Sequence, residues 1–248
     1  MHLLVRTIPT PPSPFHLRRT RACFVCRSQS RFVQSGGKEQ LEPELMPNAR
    51  RRKHDPLWEG DGSSLGVDLG NVRTGLAVGT SLGFPRPLTV LRMKGRELEA
   101  RLVEIAEEED ADELIVGLPT SNIGAETPQS YKVRGFVRGL AVRAADKGLR
   151  VYLQDEHGTS KDALDYMIDI GVKKSARRVQ SDAYSAVILL ERYFQMRGYH
   201  VELVLPNQPE LRKKVRAGVQ SRPSLDDRLW KDDLKDDVKS EGNIFDLF

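Results

Sequence analysis

Cysteine is nearly missing from this chain, with Cys23 and Cys26 the only two among 248 residues. A fold held together by disulfides is therefore excluded. Long apolar runs are missing too. Stretches such as Ala186–Leu190 stop far short of the roughly 18 apolar residues a membrane-spanning helix needs, which excludes an integral helical membrane protein. Aromatic residues make up 6%, too few for an extended base-stacking platform. Acidic residues are absent from positions 1–38.

What is present suits one globular core with extensions, at 39% hydrophobic and 30% charged residues. The 39 basic and 35 acidic residues give a formal charge of +4. Seven of the basic residues fall in the first 38 positions, leaving 32 basic against 35 acidic residues in the body. The basic character belongs to the N-terminal segment and does not argue for nucleic-acid binding by the whole domain. Residues 1–38 are Arg-rich, acid-free and scattered with Ser, Thr and Pro, the composition of an organelle transit peptide. Leu3-Leu4-Val5 is too short for a secretory core. Pro9, Pro11, Pro12 and Pro14 argue against a regular amphipathic helix and favour the chloroplast, with the mitochondrion as the alternative. The alternative to a transit peptide is a disordered basic arm that stays attached. Cys23-x-x-Cys26 lies within this segment, with no second pair to complete a zinc site.

Residues 39–62 are polar, contain Arg50-Arg51-Arg52-Lys53, and read as a linker. A globular pattern then runs over 63–205. Leu65, Val67 and Leu69 alternate with Gly66, Asp68 and Gly70, and Thr74, Leu76 and Val78 alternate likewise, which predicts a hairpin. Pro87–Leu91 is a third strand, and Leu98, Leu102 and Ile105 mark an amphipathic helix. Further elements are expected as a strand at Glu113–Leu118, a helix at Pro128–Ala145, a strand at Arg150–Gln154, and helices at Thr159–Ile170 and Ser181–Arg197. Residues 172–180 read as a basic loop, and Val201–Leu205 as one further strand. The order β-β-β-α-β-α-β-α predicts an α/β fold, a mixed five-stranded sheet with helices on both faces. Residues 206–248, with three Asp–Asp pairs, read as a mobile acidic tail.

Three acids are the candidate chemistry. Asp68 lies on the first strand between two glycines whose missing side chains would leave room for a ligand. A carboxylate buried there needs a partner, and Arg73 is one candidate. Asp155-Glu156 ends the last long strand, and alternation turns Glu156 to the side opposite Val151 and Leu153. Asp182 opens the long helix, where the dipole favours a carboxylate by roughly 0.3–1 kcal/mol. In this element order the three converge at one sheet edge. Hard divalent ions take oxygen ligands, and two of them about 3.5–4 Å apart can drive phosphodiester hydrolysis.

The motifs resemble a family. Val67-Asp68-Leu69-Gly70-Asn71-Val72-Arg73-Thr74-Gly75-Leu76-Ala77 is similar to the opening motif of the YqgF/RuvX proteins of the RNase H-like superfamily. Ile115-Val116-Gly117-Leu118-Pro119 followed by Gly124, Asp155-Glu156, and Ser181-Asp182-Ala183 resemble its later motifs, in the same order. The resemblance implies an RNase H-like fold and a nuclease dependent on Mg²⁺ or Mn²⁺, with two ions. Asp68, Glu156 and Asp182 would be its catalytic and metal-binding acids. The implied task is 5′-end maturation of small-subunit (16S-type) pre-rRNA in an organelle, with Holliday junction resolution as the alternative. Arg73, Lys173, Lys174, Arg177 and Arg178 are the candidate nucleic-acid contacts, without sequence readout. Nucleic acid is the expected partner, pre-rRNA ahead of branched DNA. No membrane is expected, and a homodimer is the assembly to test. His157 stands where the family has Arg, which leaves a non-catalytic nucleic-acid-binding relative as a rival. An actin-like or sugar-kinase-like ATPase would also open with Asp68-Leu69-Gly70, but needs two such domains.

Overall fold

The computed structural model describes residues 41–54, 62–80, 83–121 and 123–219. The transit-peptide expectation for 1–38, the Cys23/Cys26 pair and the acidic Asp–Asp pairs of the C-terminal stretch lie outside the described residues. The strands are β1 (Ser63–Leu69), β2 (Thr74–Gly79), β3 (Arg86–Leu91), β4 (Ala111–Leu118), β5 (Arg150–Asp155) and β6 (Val201–Leu203). The helices are α1 (Asn48–His54), α2 (Gly95–Glu108), α3 (Pro128–Ala145), α4 (Thr159–Asp169), α5 (Lys174–Gln195) and α6 (Pro209–Ala217), with a 3-10 turn at Pro43–Leu45.

The strands form one mixed sheet in the order β3-β2-β1-β4-β5-β6. The expected hairpin pairs β1 with β2 antiparallel, placing Asp68 opposite Gly75. β1, β4 and β5 run parallel, as helical crossovers require. The sheet has six strands: the five of the predicted order and β6, the further strand expected at Val201–Leu205, which ends at Leu203 and closes the edge by antiparallel pairing with β5.

Helices cover both faces. α5 packs across β1 to β4, α4 packs on α5, and α2 and α3 lie against β4 and β5. The α5 face holds Ala77, Ile115, Tyr152, Ala186, Leu190 and Tyr193 in one apolar cluster. α5 comes close because the strands beneath it carry glycine. A Cβ on Gly66 would lie 2.7 Å from the Leu190 side chain, and one on Gly75 would coincide with the backbone of Asp182.

Three expectations about organisation are corrected. The basic stretch 172–180 is not a loop, because α5 begins at Lys174 and includes Arg177 and Arg178. No Gly or Pro interrupts residues 172–195, and Lys and Arg are good helix formers, so charge density misled the reading. Residues 41–54 are not a free linker, since Leu45 and Ala49 are buried. Their backbone is tied to the sheet: Tyr152 donates to the Leu45 carbonyl, and Asn48 N–H donates to Glu113 at 3.0 Å. The stretch after Pro206 likewise begins with a docked helix, for α6 buries Val215 against Leu45 and Ala145.

Candidate active site

Parallel strands present their C-terminal ends at one edge, and in open α/β sheets such an edge is where ligands bind. Here that edge gathers Asp68 from β1, the Pro119-Thr120 turn after β4, and Glu156 just past β5. With Gly158 and Ser160 these residues line a cleft of about 200 Å³. Asp68 and Glu156 share the sheet face that α5 covers, as alternation along the two strands predicts.

Burial is the main cause that disfavours the charged form of both carboxylates. Burial, with Asp182 adding like charge, pushes Asp68 up to about 6, and a hydrogen bond from Ser185 only partly offsets this. Burial, then Asp68 and Asp155, pushes Glu156 up to about 8. Glu156 Oε2 is buried with no hydrogen-bond partner. The carboxylate fits there because residue 117 is glycine: a Cβ on Gly117 would coincide with Oε2.

Asp182 flanks this pair but is spoken for. Arg73 Nε lies 2.7 Å from Oδ2, an ion pair at contact distance although off the hydrogen-bond direction. Arg73 Nη2 and Ser181 Oγ donate to Oδ1 at 3.3 and 3.1 Å. Two expectations change here. Asp182 sits inside α5 rather than in its first turn, so the helix dipole does not account for it. Arg73 pairs with Asp182 rather than Asp68. The space beside Asp68 is also used differently from the expectation. α5 fills the room at Gly66, and at Gly70 a Cβ would lie 2.6 Å from the Arg73 carbonyl, so neither glycine is vacant for a ligand.

The chemistry of the donor set suits a hard cation at Asp68 and Glu156: oxygen atoms only, mutually repelling, one orphaned. Among the described residues no three His, Cys, Asp or Glu side chains form a ready metal cage.

The basic residues border the site from the start of α5. Lys173, Lys174 and Arg178 are exposed. Arg178 is one turn before Asp182 on the same helix side, and its carbonyl accepts from Arg73 Nη1 at 3.3 Å. Arg177 turns back, its Nε donating to the Val172 carbonyl at 2.7 Å.

His157 is exposed at the cleft, with its backbone N–H on Asp155 Oδ1 at 3.1 Å and Nδ1 3.4 Å from the Thr120 carbonyl. Thr120 Oγ1 also donates to Asp155 Oδ1, at 2.7 Å, so Asp155 organises the loop rather than facing the cleft. A guanidinium does reach this loop, from a residue sequence reasoning missed. Arg192 of α5 donates to the His157 carbonyl and to Asp162, each at 2.5 Å. Ser185 and Thr120 were also missed, and no local pattern marks either.

The site thus has the form of a phosphodiester-processing centre on a mixed sheet, and comparison with known proteins agrees. A family model described as "RuvX: Holliday junction resolvase" matches residues 62–196. The chain belongs to the RuvX family. A protein named "Putative pre-16S rRNA nuclease" from Nitratidesulfovibrio vulgaris (strain DSM 19637 / Miyazaki F) is 36% identical over 135 residues, 53% of this chain and 92% of that protein. A protein of the same name from Escherichia coli O7:K1 (strain IAI39 / ExPEC) is 33% identical over 140 residues, 56% of this chain and 99% of that protein. A solved structure of T. thermophilus RuvC in complex with a Holliday junction substrate is 18% identical, covering 58% of this chain and 99% of that one, with a TM-score of 0.38. The expected mixed α/β sheet and membership of the RuvX family stand. No helix among the described residues is long and apolar enough to cross a membrane.

Proposed function

We propose that this chain is a divalent-cation-dependent endonuclease that matures the 5′ end of a small-subunit rRNA precursor in the chloroplast. One observation carries the nuclease reading. Asp68 and Glu156 line one cleft at the end of parallel strands, with Glu156 Oε2 lacking a hydrogen-bond partner, beside an exposed basic helix start. The names of the bacterial relatives support the RNA substrate.

Mg²⁺ or Mn²⁺ would be held by Asp68 and Glu156, with Asp182 next to them. Bound there, the ion supplies Lewis-acid activation of water and stabilises charge on the phosphate. The chain's own residues do the rest. Ser185 orients Asp68, and the cradle at Gly117 fixes Glu156. Lys173, Lys174 and Arg178 hold the phosphate backbone without reading bases. Arg73 and Arg177 add positive charge beside them, Arg73 while contacting Asp182 and Arg177 while contacting the Val172 carbonyl. A four-way DNA junction is the second reading, favoured by the description of the matching family model.

The test offers the full chain a structured pre-rRNA and a four-way junction side by side, with Mg²⁺. Cleavage of the RNA alone supports the proposal; cleavage of the junction alone replaces it with the second reading. Import of a fluorescent protein fused behind residues 1–38 checks the compartment: chloroplast entry is expected, and mitochondrial entry would contradict it.

A further inference from the structure

The Arg73–Asp182 pair is not an ordinary surface ion pair. The Arg73 side chain is 33% and the Asp182 side chain 23% exposed, and the backbones that carry them are fixed. Gly70 N–H donates to the Arg73 carbonyl at 3.0 Å, closing the β1–β2 turn behind the guanidinium. Two residues on, Gly75 takes the Asp182 backbone directly against β2. The guanidinium meets both carboxylate oxygens and also donates to the Arg178 carbonyl at 3.3 Å. A cation held by three contacts between two packed elements is placed, not passing.

The other two acids differ in charge pairing. Glu156 Oε2 and Asp182 Oδ2 both lack a hydrogen bond, but only Asp182 has a cation against it among the described residues, while Asp68 has Ser185 as its hydrogen-bond donor. The charges then close. Once a cation has displaced the protons of Asp68 and Glu156, these two and Asp182 carry three negative charges; one divalent ion and one guanidinium carry three positive. A second divalent ion would have to displace Arg73 or leave an excess of positive charge in a half-buried site.

We infer that Arg73 takes the place of a second metal ion: the site loads one divalent cation, at Asp68 and Glu156, and the guanidinium on Asp182 is the second positive centre, facing the substrate phosphate. This rests on the nuclease reading only for what the phosphate belongs to; the ion count stands apart from it. Arg73 is thereby a positioning residue that neutralises Asp182 and sets the stoichiometry.

The test counts ions. The full native chain is titrated with Mn²⁺, with heat and the electron-spin signal of free Mn²⁺ followed in parallel. One equivalent is expected for the native chain and for Arg73→Lys, and two for Arg73→Gln. Asp182→Asn, which leaves the Asp68–Glu156 pair intact, should still take one. Two equivalents in the native chain, falling to one in Asp182→Asn, would overturn the inference. So would a count that Arg73→Gln leaves unchanged, or no uptake at all. Cleavage is scored separately on the same samples. One equivalent without cleavage supports the inference while removing the nuclease reading; two equivalents with cleavage do the reverse.

Discussion

The carboxylate of Glu156 occupies the space that a side chain on Gly117 would fill. This gives glycine at 117 on β4 a job distinct from that of Gly75 on β2 of the same sheet. At Gly117 the obstacle is the free end of a flexible side chain; at Gly75 it is the backbone of Asp182 in α5. Gly117→Ala should therefore swing Glu156 out of the cleft, lowering cleavage roughly 10-fold or more with a stability change below about 1 kcal/mol. Gly75→Ala must move a helix and should cost about 1–3 kcal/mol or more. Urea denaturation alongside a cleavage assay separates them. Equal stability losses in the two variants would contradict this division.

The raised Asp68 and Glu156 set a pH dependence. Their ordinary values are 3.8 and 4.5, and in the folded chain they stand at about 6 and about 8. Between those limits the folded state holds protons that the unfolded chain has released. The stabilising contribution is complete at low pH and is lost as pH rises through the folded values. With chelator present, melting should therefore occur several degrees lower near pH 8.5 than near pH 5.5, and Glu156→Gln should flatten the difference. Mn²⁺ should raise the melting temperature much more at the higher pH, where both carboxylates are free to bind it. A chelated protein that gains stability steadily across this range would refute the assignment.

At the opposite end of β4, Glu113 is fully buried. It accepts hydrogen bonds from Ser64 Oγ at 2.7 Å, Tyr193 at 2.5 Å and the backbone of Asn48 at 3.0 Å, with Arg150 3.6 Å away. Asn48 lies outside the matched family region, so this node ties an added N-terminal segment to the shared core. Glu113→Ala leaves Arg150 without its buried counter-charge and should cost about 3–5 kcal/mol. A loss under about 1 kcal/mol in urea denaturation would sink the idea.

Lys173, Lys174 and Arg178 are exposed on the approach to Asp182. If they hold phosphates, changing all three to Ala should weaken binding of any sequence about equally. The slope of log K against log salt should fall by about 2–3. Unchanged salt dependence would return them to a solvated helix end.

Much of this was readable from residue order. Alternation over Leu65–Leu69 and Thr74–Val78 located β1 and β2, and the parity of Val151 and Leu153 gave the side to which Glu156 turns. The misreadings have physical causes. The first turns of α5 carry so much charge that they resemble a loop, and that moved Asp182 to a helix start it does not occupy. The docking of residues 41–54 depends on Glu113 and Tyr193, far along the chain, and nothing local announces it. The same holds for Arg73 and Asp182, paired by the turn after β1 and the glycine beneath α5. Composition, period and spacing report on neighbours in sequence, whereas these contacts arise only when the sheet closes.

The most direct measurement of the central claim is single-turnover cleavage of a structured pre-rRNA by the native chain, Asp68→Asn and Glu156→Gln, with Mg²⁺, with Mn²⁺ and with chelator. The account predicts cleavage by the native chain with either ion, none with chelator, and a loss of at least about 100-fold in each variant while all three bind the RNA equally. Cleavage that persists in chelator or survives both substitutions would contradict it.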